Sequence, residues 1–110
     1  MRLPKNTQIN SNKLTQYLLV SRKRNDKSLW LAKAGYTIEN WQALEEDLRK
    51  LILLNDASLI EETKFGQKLI LSGKLLGPNG KSLFVTTVWM TEIENKITKF
   101  ITMYPEKRRR

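Results

Sequence analysis

The residues best suited to chemistry lie in one stretch, Gly77 to Pro105, GPNGKSLFVTTVWMTEIENKITKFITMYP. Thr87, Trp89, Thr102 and Tyr104 stand there in two runs of strand-forming residues. Threonine hydroxyls can hydrogen-bond phosphate oxygens, and Trp and Tyr rings can stack on unpaired bases. The rest of the chain supplies cations, with 20 Lys and Arg against 11 Asp and Glu, a net charge of +9. A surplus spread over both halves attracts polyanions: RNA, DNA, an acidic protein or an anionic membrane surface. Charge of this kind also serves solubility alone.

Two absences narrow the chemistry. The chain has no histidine and no cysteine. Ser-His-Asp and Cys-His triads, histidine-based zinc sites, thiolate metal sites and disulfides are therefore excluded. Any acid–base step must use Lys, Tyr, Glu or Asp. The carboxylates do not gather for a metal either. Glu45, Glu46 and Asp47 diverge around a helix, and Glu61 and Glu62 point to opposite faces of a strand. Gly77-Pro78-Asn79-Gly80 lacks the pattern and the following helix of a phosphate-binding loop. No metal and no organic cofactor is expected.

The elements that must position these residues follow from local signals. A chain of 110 residues fits one domain with one hydrophobic core. Residues 1–11 read as an extended arm. Asn12 can cap a short helix from Lys13 to about Val20, with Leu14 and Leu18 on one face. Arg22-Lys23-Arg24 form a basic loop. Asp26 or Ser28 starts a second helix, which Gly35 stops. Thr37 caps the longest helix, Ile38 to Leu54, whose Trp41, Leu44, Leu48, Leu51 and Ile52 recur at helical spacing.

Strands follow: Ser58–Thr63, Lys68–Leu76, Ser82–Ile93 and Ile97–Tyr104, with Pro105 as the stop and residues 106–110 as a basic tail. The fold class is α+β, N-terminal helices followed by a four-stranded antiparallel meander with the long helix packed on one face. No apolar run approaches the roughly 20 residues of a membrane helix, and Met1 to Asn12 lacks the apolar region of a signal peptide. The expectation is a cytoplasmic protein with no membrane partner.

Period-two alternation then assigns faces. Leu69, Leu71, Leu75, Val88, Met90, Ile101 and Met103 are expected to face the helices. The open face would carry Lys68, Ser72, Lys74, Thr87, Trp89, Thr102 and Tyr104, a mixture that suits RNA phosphates and bases. Trp89 and its neighbours could equally be core, because a one-residue slip in register reverses the faces.

Several segments together resemble a known family: KLTQYLL, KSLWLAKAGYT, ENWQALEEDL, GKLLGPNGKSLFVTTVW and ITMYP, in this order along nearly the whole chain. They resemble small bacterial domains of unknown function, found beside a small partner gene or at the C-termini of polymorphic toxins. The helix-then-meander order and the closing Thr-x-Tyr strand are also similar to the barnase, EndoU, colicin and RelE group of ribonuclease toxins. The chain departs from the family at Trp30-Leu31, where a Phe pair is usual, and in its Arg22-Lys23-Arg24 loop.

The resemblance implies a metal-independent ribonuclease toxin of RelE-like type, paired with a small acidic antitoxin. RelE-like toxins rely on Lys, Arg and Tyr. By that analogy Lys27 becomes the phosphate contact or general base, with Thr87 and Thr102 on a phosphate oxygen and Tyr104 as proton donor or stacking ring. Arg22, Lys23, Arg24, Lys68, Lys74, Trp89, Arg108, Arg109 and Arg110 would bind nucleic acid. A non-catalytic RNA- or DNA-binding module, or a basic domain docking an acidic protein, fits the same charge. The oligomeric state is not encoded in any of these features.

Overall fold

In the computed structural model, which describes residues 1–21, 23 and 26–106, the elements follow the expected order. Asn10 rather than Asn12 starts the first helix. Its side chain accepts a hydrogen bond from the Asn12 amide at 2.9 Å, the N-cap arrangement. Helix α1 (Ser11–Lys13) then widens into a π-helical segment, Leu14–Leu18, closed by Leu19 N–H on the Leu14 carbonyl at 3.0 Å. Helix α2 spans Ser28–Ala32. The long helix opens as a 3₁₀ turn, Ile38–Asn40, behind a Thr37 capping box, and continues as α3, Trp41–Leu54.

Strands β1 (Ser58–Thr63), β2 (Gly66–Leu76), β3 (Ser82–Glu92) and β4 (Thr98–Pro105) form one antiparallel sheet in the order β1-β2-β3-β4. Residues 1–10 are tied down, and the expected extended arm is broken by a turn at Lys5-Asn6, where Thr7 N–H reaches the Pro4 carbonyl at 3.1 Å. Gln8 pairs with β4 in parallel, its N–H on the Thr98 carbonyl and its carbonyl on Phe100 N–H, both at 2.8 Å. Leu3 and Ile9 are buried.

The β2–β3 turn fixes which face is core. Gly77 N–H reaches the Lys81 carbonyl at 2.8 Å, and Gly80 N–H the Gly77 carbonyl at 3.0 Å. Gly80 lies at φ 88°, the left-handed region that glycine enters at little cost. This closure pairs Leu76 with Ser82, and therefore Leu69 with Trp89, Leu71 with Thr87 and Gly73 with Val85. Directly opposed residues share a face, so Thr87 and Trp89 join the leucines.

That register corrects the expected faces. Thr87 and Trp89 are fully buried in the core with Leu69, Leu71, Leu75 and Val85, under Leu44, Leu48, Leu51 and Ile52 of α3. Val88 pairs with Ile70 and Met90 with Lys68, on the side away from the leucines. Strand β4 departs for another reason. Its register shifts between Val88↔Thr102 and Trp89↔Phe100, leaving Ile101 as the extra residue of a β-bulge. The bulge resets the alternation, so Phe100 and Met103 both point into the core while Ile101 turns outward, 36% exposed. Phe100 meets Trp89 edge-on at 5.2 Å between ring centroids, a geometry worth about 0.5–1.5 kcal/mol beyond burial.

The polar atoms of this core are satisfied within it. Trp89 Nε1–H donates to Thr87 Oγ1 at 2.7 Å, and the Thr87 hydroxyl donates to the Leu71 carbonyl at 2.7 Å. Their hydrogen bonds serve the fold, and both side chains are closed off from solvent. No helix among the described residues is long and apolar enough to cross a membrane.

Candidate functional site

Short helices hold their place only when both ends are tied, and α2 is tied at each. At its start the Asp26 carboxylate accepts from Ser28 N–H at 2.8 Å and from the Ser28 hydroxyl at 2.6 Å, and its second oxygen accepts from the Ser21 hydroxyl at 3.2 Å. At its end the β2–β3 turn supplies donors. Asn79 Nδ2–H donates to the Lys33 carbonyl at 3.0 Å, and Asn79 N–H to the Ala34 carbonyl at 3.3 Å. The approach requires Gly77, because a Cβ there would collide with the Ala34 carbonyl.

So anchored, α2 presents Lys27 to the edge strand β4. The Lys27 ammonium donates to Thr102 Oγ1 at 3.1 Å and lies 6.0 Å from the centroid of the Tyr104 ring. That ring distance is at the outer limit of a cation–π contact. Thr102 and Tyr104 stand two residues apart on one side of β4, opposite Val88 and Thr86. Tyr104 is 41% exposed, so its ring and hydroxyl are open to a ligand.

Lys27 and Thr102 line a cavity of about 590 Å³ at the outer edge of β4. The opposite wall comes from α1 and its π-helical extension, through Asn12, Lys13, Gln16 and Tyr17. Such π-helical stretches are rare and recur at functional sites. Among the described residues, the lining contains lysines at 13 and 27 and no carboxylate. The cavity can therefore bind an anion, and its carboxamides and Tyr17 ring can contact a base. Among the described residues, no group of three or more His, Cys, Asp or Glu side chains is placed to hold a metal.

Of the residues singled out in sequence, Lys27, Thr102 and Tyr104 come together, while Thr87 and Trp89 are withdrawn into the core. Lys68 and Lys74 lie on β2, on the face away from the leucines. They stand two strand spacings from β4, about 10 Å. Lys23 is exposed in the loop before α2. Arg22, Arg24, Arg108, Arg109 and Arg110 lie outside the described residues. Asn10, Asn12, Lys13, Gln16 and Tyr17 were missed. Their signal was a polar stripe, Asn12, Lys13, Gln16 and Tyr17 at helical spacing, opposite the apolar Leu14 and Leu18.

A family model described as "Domain of unknown function (DUF6883)" matches residues 2–107. The chain belongs to this family. No curated protein matches the DUF6883 chain in sequence. Among solved structures, the DUF6883 chain is similar to a chain of a "Contact-dependent growth inhibition toxin - immunity protein complex from Klebsiella pneumoniae 342". The match has a TM-score of 0.68 at 17% identity and covers 89% of this chain and 98% of the other. At that identity the likeness is one of fold.

Proposed function

We propose that this DUF6883 chain is a metal-independent, RNA-cleaving toxin held in check by a small acidic partner protein. The observation that carries the reading is the Lys27–Thr102 contact at 3.1 Å, beside Tyr104 and at the wall of a cavity whose described lining holds lysines and no carboxylate. The fold shared with a chain of a toxin–immunity complex supports it, as does the net charge of +9.

Cleavage proceeds by attack of the ribose 2′-oxygen on the neighbouring phosphorus, with rupture of the bond to the 5′-oxygen. The products are a 2′,3′-cyclic phosphate and a free 5′-hydroxyl. Negative charge grows on the non-bridging oxygens, and fixed donors aimed there supply the largest share of catalysis. Lys27 provides the cation and Thr102 a second hydrogen bond. The proton of the 2′-hydroxyl passes to solvent. The Tyr104 hydroxyl gives a proton to the departing 5′-oxygen and regains one from water. Holding the 2′-oxygen in line with the phosphorus supplies the orientation. An acidic partner would inhibit by covering the lysine-lined cavity.

The test is induced expression with total RNA analysis, together with incubation of purified protein and RNA in chelator. Growth arrest and fragments ending in cyclic phosphate are expected, with both lost in Lys27→Ala. Normal growth with intact RNA would refute the reading. Salt-sensitive RNA binding without fragments would instead establish a non-catalytic binding module.

A further inference from the structure

A second cavity, of about 430 Å³, adjoins the first along β4 and shares Asn10, Lys13 and Ile101 with it. Its far end is lined by Arg49, Lys99 and Phe100. Both volumes fall within the range of small-ligand sites, about 300–1,000 Å³. The shared boundary contains two polar groups with distinct preparation. Asn10 Oδ1 is held by the Asn12 amide at 2.9 Å, which leaves Nδ2 as an oriented donor. The Lys13 ammonium has no carboxylate partner among the described residues. Arg49 and Lys99, in contrast, are engaged, with Glu45 at 3.9 Å and Glu92 at 3.3 Å. The bulge residue Ile101 forms the apolar floor at the junction.

We propose that the two cavities are consecutive nucleotide subsites on single-stranded RNA, and that Asn10 and Lys13 hold the phosphate between them. This rests on the RNA-directed reading of the Lys27 site and names its substrate class. Two side-by-side concavities accept splayed bases, whereas a stacked and paired duplex keeps its bases out of reach. The free amide donor and the unpaired ammonium meet the backbone, and Tyr17 offers a stacking face in the first subsite, 50% exposed.

The probe is a fluorescent six-uridine oligonucleotide with 2′-O-methyl groups, which cannot be cleaved, followed by anisotropy at several salt concentrations. Asn10→Asp keeps the N-cap oxygen while removing the donor and adding negative charge, so the fold is spared. Lys13→Gln removes the cation. Each is expected to weaken binding about tenfold, the loss of one charge-assisted hydrogen bond. Lys13→Gln also lowers the salt slope by about 0.7, one single-strand phosphate contact. If both variants bind as the parent does while Lys27→Ala binds weakly, the two-subsite track is wrong and the Lys27 site stands. If Lys27→Ala also binds as the parent does, or the parent binds no RNA, the site reading falls with it. Equal affinity for a duplex of the same length would overturn the single-strand assignment.

Discussion

The Lys27 ammonium and the Thr102 hydroxyl meet at 3.1 Å although 75 positions separate them in the chain. The contact joins the start of a short helix to the edge strand of the sheet. Its worth for the proposed cleavage is directly measurable. Lys27→Ala should lower turnover by about 10²–10³-fold, the usual cost of one donor to a developing oxyanion. Thr102→Val keeps the shape and should lose about tenfold, one neutral hydrogen bond. Initial rates on a defined single-stranded substrate decide the matter. Unchanged turnover in Lys27→Ala would place the chemistry elsewhere.

Thr87 and Trp89 should separate from that behaviour. Thr87→Val leaves the buried Trp89 N–H without an acceptor and should cost about 1–3 kcal/mol. Trp89→Ala should cost about 3–5 kcal/mol through the cavity it leaves. Thermal and denaturant unfolding will show these losses, with turnover per folded molecule unchanged for Thr87→Val. A catalytic defect in Thr87→Val without loss of stability would contradict its place in the core.

Tyr36 gives a pH signature. Its hydroxyl donates to Asp47 at 2.6 Å, and burial first, then the Asp47 carboxylate, push its pKa far above the ordinary 10.0. A raised folded-state pKa means the folded state resists losing that proton. The contribution is complete below pH 10.0, the unfolded value, and is lost as pH rises above it. Stability of the parent should fall more steeply over that alkaline window than stability of Tyr36→Phe. Parallel curves from urea unfolding between pH 9 and 11 would remove Tyr36 from the account.

Gly77→Ala tests the anchoring of α2. A methyl group there meets the Ala34 carbonyl, and overpacking of this kind costs about 1–3 kcal/mol. Because the displaced helix carries Lys27, turnover should fall more than stability alone explains. Turnover at the parent level in the folded fraction would show that α2 placement is not limiting.

Helices, turns and strand order were legible because their signals are local: the Leu44–Leu48–Leu51 stripe, the capping residue Thr37, and the Pro78-Asn79-Gly80 turn. The faces of β3 were not, since Phe84, Val88 and Met90 compete with Val85 and Trp89 for the core. Counting across the β2–β3 turn would have paired Leu71 with Thr87 and resolved that strand. Nothing in ITKFITMYP announces the bulge at Ile101, because a bulge follows from how β4 meets β3.

The sequence by itself determined the order of elements, the cationic surface and the exclusion of histidine and cysteine chemistry, since these depend on composition and near-neighbour spacing. It also named Lys27, Thr102 and Tyr104. Tertiary structure alone decided that these three meet while Thr87 and Trp89 do not join them. Turn closure sets the register of β3, the bulge resets β4, and the tethering of α2 to the β2–β3 turn brings Lys27 to the edge. Each is a contact between distant segments, which spacing along the chain does not encode.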